Sequence, residues 1–213
     1  MYRCEATTVG GFVQQLAVQY VTHGYWFYVL GRIPAGKDPR AVDAKLVDRY
    51  RLACSSAERS RRKAAGFANV QYLRYEHRFA LVATHGEHRF FEEEPFRDLR
   101  RAPLRFRGYS IGHRNGRTCV KIHPEEYRRL KAEFLELATR RRTETLADRF
   151  SRLPFEPYAP VCDQLFRLLR AVNRKRKEAG FEPVPTSALR LRRRIYRPFD
   201  PPEPGRGSEK EVA

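Results

Sequence analysis

Three histidines fall close together in "YEHRFALVATHGEHRFFEEE", residues 75–94: His77, His85 and His88, followed at once by Glu92, Glu93 and Glu94. Imidazole nitrogens and carboxylates can converge on a divalent cation at about 2 Å. A metal beside a nucleophile can then cut a phosphodiester. His85 and His88, with Glu92 or Glu93, are the candidate ligands. The spacing is not that of an HExxH helix, and a polar loop after a strand would use the same residues. Tyr127 is the candidate nucleophile, because a tyrosine near a helix start and flanked by Glu126, Arg128 and Arg129 can attack a phosphodiester covalently. It shares a helical face with Leu130 and Phe134, so a core tyrosine is the competing reading. No Walker loop, dinucleotide fingerprint or Ser/His/Asp spacing is present.

Phosphate binding is the third possible chemistry. The chain of 213 residues has 43 Lys and Arg against 25 Asp and Glu, a formal net charge of +18. A domain this basic repels itself until a polyanion neutralises it. Most of the excess is arginine, whose planar guanidinium binds phosphate bidentately and stacks on bases. Arg59, Arg61, Arg62 and Lys63 form one cluster; Arg105 and Arg107 a second; Arg140 and Arg141 a third, with Arg142. Arg174 and Arg176 stand in the run 174–177, and Arg192, Arg193 and Arg194 follow Arg190. Phe106, Tyr109 and Tyr196 lie near several of these. Arginine on phosphates with aromatics under bases is how sheet-based single-strand binders work.

These side chains need elements to position them. Phe12, Val13, Leu16, Ala17, Tyr20 and Val21 recur at helical spacing and stop at Gly24. "YWFYVLGRI" predicts a strand buried on both faces. Asp38 as N-cap with Pro39 after it starts a helix with Val42, Leu46 and Tyr50 inward. Ser55 and Glu58 have capping-box spacing before a basic surface helix that ends at Gly66. Residues 68–86 predict two strands with a turn at Glu76-His77, or one kinked strand. Asn115-Gly116 predicts a type I′ hairpin. The alternation Leu104, Arg105, Phe106, Arg107 predicts a sheet with a dry side and a basic side, with the site around Arg105, Arg107 and Tyr109. Residues 123–142 predict a helix with Pro124 at its first position and Tyr127, Leu130, Phe134 and Leu137 on one face; Thr143 caps a shorter one through Phe150, and residues 153–161 read as a proline-rich linker. A last helix over 161–177 buries Val161, Leu165, Leu168 and Val172.

The predicted fold is α+β: a mostly antiparallel sheet with helices packed on one face and a helical C-terminal extension. The expected divisions are a nucleic-acid-binding domain over 1–152, a basic extension over 153–199 and a disordered tail over 200–213. Cys4, Cys54, Cys119 and Cys162 form no CxxC pair, which argues against a structural zinc site and for free thiols in a reduced, cytoplasmic setting. "MYRCEATTVGG" has no apolar signal region, and no apolar run suits a membrane span.

The order strand, helix, strand, with "RYEHRFALVAT" and a tyrosine on a later helix, resembles the single-tyrosine HUH transposases of the REP-associated type. These carry a His-hydrophobic-His pair on a central strand of a five-stranded sheet. The resemblance covers roughly residues 25–137 and rests on layout. It aligns His77 with the first family histidine and Phe79 with the second. Phenylalanine ligates no metal, so the resemblance implies a broken pair, with His85 or His88 substituting from elsewhere and Tyr127 in the nucleophile's place. It implies single-stranded or hairpin DNA as partner.

The residues lead first to a non-enzymatic protein that binds single-stranded or hairpin DNA or RNA, without a cofactor, as in a mobile-element or RNA-guided complex. The alternatives are a nickase or transposase needing Mg²⁺ or Mn²⁺, and a structural subunit of a ribonucleoprotein assembly.

Overall fold

In the computed structural model, which describes residues 2–201, the Thr8 hydroxyl accepts from the Gly11 amide and starts helix α1, Val9–Gln14. The helix runs on as a π-helical stretch, Gln15–Tyr20, and a 3₁₀ turn, Val21–His23, and stops at Gly24 with φ 93°. Its periodic apolar residues are buried as expected. Strand β1 is Phe27–Arg32, α2 is Pro39–Arg49 and α3 is Ser56–Ala64. Strands β2, Val70–Tyr75, and β3, Arg78–Ala83, follow, then the short α4, Phe90–Glu93, and β4, Arg97–Asp98. Asp38 and Ser55 cap α2 and α3 as expected. Residues 76 and 77 are a tight turn between two strands, with Glu76 at φ 51°.

The sheet order is β2-β3-β1-β4, and every neighbouring pair is antiparallel. Strands β1 and β2 are therefore parallel with β3 between them, the split β-α-β arrangement of ferredoxin-like sheets. The N-terminal segment pairs in parallel with β2: the Arg74 amide donates to the Cys4 carbonyl and the Ala6 amide to the Arg74 carbonyl, both at 2.7 Å. Strand β1 departs from expectation. Only Tyr28 in it is fully buried, and Leu30 is 39% exposed. β4 pairs with Phe27 and Tyr28 alone, so the rest of β1 is an edge of this sheet.

One face of this sheet packs Val70, Tyr72, Leu81 and Ala83 against Tyr50, Leu52 and Phe90. Phe79 lies opposite Gly31 on it, and a Cβ at Gly31 would fall 2.0 Å from the Phe79 ring. Gly31→Val is expected to lower stability by about 1–3 kcal/mol through overpacking, measurable as a lower denaturant midpoint. Phe79→Ala in the same chain should relieve part of that specific clash.

The chain divides into two compact units, Met1–Leu99 with Tyr196–Ala213, and Arg100–Ile195. The boundaries differ from the expected 152/153 division. Residues 196–200 return to the first unit: the Thr7 amide donates to the Pro198 carbonyl, and the Gln14 side chain bonds both the amide and the carbonyl of Tyr196. The seat is the pair Gly10-Gly11, since a Cβ at Gly10 would lie 2.3 Å from the Tyr196 ring. Asp200, expected in the tail, accepts hydrogen bonds from Arg3 and Thr7. The rest of that tail, 202–213, lies outside the described residues.

The second unit is built on a three-stranded antiparallel meander: β5, Leu104–Phe106, β6, Tyr109–Arg114, and β7, Arg117–Ile122. Asn115 and Gly116 have φ 51° and 72°, as a type I′ turn requires. Arg107 and Gly108, at φ 42° and 78°, join β5 to β6 in the same left-handed conformation. Arg107 is thus a turn residue and not a strand residue. Helices α5, Pro124–Leu137, α6, Thr143–Ser151, and α7, Ala159–Glu178, complete the unit. The N-cap of α6 is Arg142, not Thr143. The expected linker is part of the core: Phe155 is buried and meets the Tyr109 ring edge-on, 5.1 Å between centroids. Gln164 on α7 bonds both the amide and the carbonyl of Ile122. The meander and the C-terminal helices therefore share one core, so no boundary falls at residue 152.

Candidate nucleic-acid interface

No Asp or Glu occurs between Arg100 and Ile122. Alternation then divides the meander. Leu104, Phe106, Tyr109, Ile111, Val120 and Ile122 point to the dry side and are all buried. On the opposite parity the register aligns Arg105 with Ser110 and Ser110 with Lys121, and pairs Arg114 with Arg117. Like charges placed directly opposite destabilise a sheet by a few tenths of a kcal/mol. The ion pair of Arg105 with Glu125 is long, 3.9 Å, with both side chains about two-thirds exposed, and such pairs contribute little. This parity therefore carries positive charge that the second unit compensates weakly.

Two residues expected to bind nucleic acid are instead in the core. Tyr109 is 1% exposed on the dry side; its hydroxyl donates to the Pro154 carbonyl and accepts from the Glu156 amide. Its ring offers no face to a base. Arg176 is 2% exposed. Its guanidinium donates to the carbonyls of Ala138, Arg141 and Glu182 and to the Thr143 hydroxyl. It satisfies carbonyls left open where α5 ends, which would otherwise be buried without partners. Arg174 on the same helix is exposed.

Arg140, Arg141 and Arg142 are exposed between α5 and α6. They line a groove of about 360 Å³ with Phe181, which is 45% exposed. Arg140 pairs with Glu136 one turn back. Arg192, Arg193 and Arg194 are exposed, and Arg193 lies over the Tyr158 ring at 5.2 Å. Tyr127 is half-buried on α5; burial raises its phenol above the ordinary value, with Arg167 opposing. Among the described residues nothing hydrogen-bonds its hydroxyl, so no base is placed to activate it.

The remaining predicted residues belong to the first unit. Arg61 and Lys63 are exposed on α3, whereas Arg59 donates to the Cys54 carbonyl and Arg62 reaches Cys54 Sγ and the Ala68 carbonyl. His77 is exposed in the turn, and His85 is exposed with its ring beside Phe27. His88 is engaged elsewhere: its Nδ1 accepts from the Phe90 amide at 3.0 Å, and its ring lies 6.1 Å from the Tyr50 ring, centroid to centroid. The chain's own backbone thereby occupies that nitrogen. Among the described residues no group of three His, Cys, Asp or Glu is placed to hold a metal.

Burial, then Arg62 and Arg89, push the His88 imidazole below its ordinary value. The unfolded chain therefore takes up this proton first as pH falls. Stability from neutral His88 is complete above about pH 6.5 and is lost below it, toward the depressed folded value. His88→Gln is expected to flatten that part of the stability–pH curve of the first unit.

Asp43 and Arg74 escaped the sequence reading. Asp43 is 8% and Arg74 2% exposed. Arg74 Nε and Nη2 donate to the Asp43 carboxylate at 2.8–3.0 Å, the Tyr72 hydroxyl donates to it at 2.6 Å, and Arg74 Nη2 lies 3.2 Å from Glu5. Burial opposes the charge on Arg74, but the hydrogen bonds and charge of Asp43 and Glu5 hold its guanidinium above its ordinary value. Burial, with Asp43 nearby, pushes the Cys4 thiol up to about 12. A signal existed: Val70, Tyr72 and Arg74 share one strand parity, and Asp43 lies at helical spacing from Leu46, Val47 and Tyr50.

No model of a known protein family matches the chain, and no curated protein matches it. The class of the protein is that of its fold, α+β with two antiparallel sheets.

Proposed function

We propose that the protein binds nucleic acid, gripping the phosphates of a single strand or hairpin with arginine. The observation that carries this reading is the meander of the second unit, where Arg105, Lys121, Arg114 and Arg117 share one parity in a segment without any carboxylate. Opposed like charges cost folding stability, and a row of phosphates converts that cost into binding. The overall charge of +18 supports the same partner class. Base stacking falls to exposed rings such as Phe181, next to Arg140–Arg142, in place of Tyr109.

Fluorescence anisotropy with labelled single-stranded and hairpin RNA and DNA tests the reading across a salt series. The expected result is binding at low salt that weakens linearly in log salt, at about −0.7 per phosphate contacted on a single strand. Absence of binding at low salt, or affinity indifferent to salt, would overturn it.

A further inference from the structure

The first unit holds a groove of about 470 Å³ between the end of α2, α3 and the segment around α4, lined by Arg49, Tyr50, Arg51, Arg62, Phe67 and Arg89. We propose that it binds a nucleoside phosphate, with the phosphate on Arg51 and Arg62 and the base on Phe67. This goes beyond the reading of the second unit, since it uses other residues.

The four guanidinium groups are not equivalent. Arg49 and Arg89 both reach Glu93, at 2.9 and 3.9 Å, and both lie over the Tyr50 ring, 5.4 and 5.5 Å from its centroid. They are already held. Among the described residues Arg62 has no carboxylate partner; its bonds go to the Cys54 sulfur at 3.5 Å and the Ala68 carbonyl at 3.4 Å, both long. The Arg51 guanidinium makes no hydrogen bond or ion pair among the described residues. Arg51 also has φ 50°, a conformation that a non-glycine residue adopts at some cost. Two guanidinium groups without an ion pair among the described residues, lining one concave site, match a phosphate.

Phosphate alone does not account for Phe67. The residue is 47% exposed, and its backbone is held: its amide donates to the Arg62 carbonyl and it bridges to Glu87. An exposed aromatic residue on a held backbone, at the edge of a groove lined by arginines, matches the flat face of a base. Glu87 and Glu92 also line the groove. A carboxylate there disfavours a bare phosphate but accepts hydrogen bonds from ribose hydroxyls or a base amino group. Rings, arginines and acids together fit a nucleoside phosphate better than an inorganic anion.

Isothermal titration of the full chain with AMP, adenosine and inorganic phosphate tests this. The expected order of affinity is AMP well above both fragments. Arg51→Asn keeps a residue that tolerates positive φ, and Arg62→Gln keeps a donor. Each should weaken AMP about tenfold or more, the scale of one charge-assisted hydrogen bond. Phe67→Ser should weaken AMP while leaving phosphate unchanged. Unchanged circular dichroism and melting would establish that the variants fold. Anisotropy with 5′-phosphorylated and 5′-hydroxyl oligonucleotides then distinguishes the source: preference for the phosphorylated strand assigns the site to strand ends, and no preference assigns it to free nucleotides. The proposal is overturned if AMP does not bind, if the folded Arg51→Asn, Arg62→Gln double variant binds it unchanged, or if phosphate binds as tightly as AMP. Charge variants on the meander should leave AMP binding intact, so failure of either site is separable from the other.

Discussion

Asp43→Ala is expected to cost the first unit about 3–5 kcal/mol, the penalty for leaving a buried charge without its partner. The pair joins α2 to β2 across 31 residues, and both side chains are almost fully enclosed. Removing the carboxylate leaves the Arg74 guanidinium with the Glu76 carbonyl and the half-exposed Glu5, and leaves the Tyr72 hydroxyl without its acceptor. A domain is stable by only about 5–15 kcal/mol in total, so the loss is a large share. Trp26, the single tryptophan, lies in the first unit and reports its unfolding by fluorescence. Denaturation should move to much lower denaturant in Asp43→Ala. The double change Asp43→Leu, Arg74→Met should recover a substantial part, since apolar replacement of a whole buried pair is often neutral. A loss below about 1 kcal/mol in the single variant would contradict this account of the pair.

The second large effect concerns binding. Arg114→Ser combined with Arg117→Ser removes a cross-strand pair of like charges. Nucleic-acid affinity at low salt is expected to fall about 10–100-fold, and the salt slope to lose about 0.7 for each phosphate contact removed. Thermal stability should hold or rise slightly, because the repulsion across the pair disappears. Opposite signs for binding and stability distinguish a binding residue from a structural one. Tyr109→Phe provides the contrast. It keeps the ring and deletes the hydroxyl that bonds Pro154 and Glu156, so it should destabilise the second unit by about 1–3 kcal/mol and leave the salt slope unchanged. Anisotropy and melting on the same preparations check both.

Much of the local structure was legible before any coordinates. Asp38 with Pro39, Ser55 with Glu58, and Asn115-Gly116 act within a few residues of themselves, through hydrogen bonds and φ preferences that need no distant partner. The apolar periods of α1, α5 and α7 were equally local. Arg107-Gly108 is not legible as a turn, because arginine is not a usual residue at positive φ. Thr143 reads as a cap by type, whereas its hydroxyl is used by Arg176.

The site was less legible than the elements. Apolar periodicity and turn signals by themselves determined an α+β order of elements, composition determined a large positive excess, and alternation placed Arg105 on the parity opposite Leu104 and Phe106. Only the tertiary structure decided which polar residues turn inward. Tyr109 and Arg176 looked like ligand-binding groups by type, yet each closes backbone hydrogen bonds that would otherwise be buried without partners. His85 and His88 look like a metal pair by spacing, yet one sits beside Phe27 and the other accepts a hydrogen bond from the Phe90 amide. Asp43 and Arg74, singled out by no motif, form the buried ion pair of the first unit. A repeating pattern records which residues share a face of their own element. Whether that face meets solvent or another part of the chain depends on residues tens of positions away, and that is decided by packing.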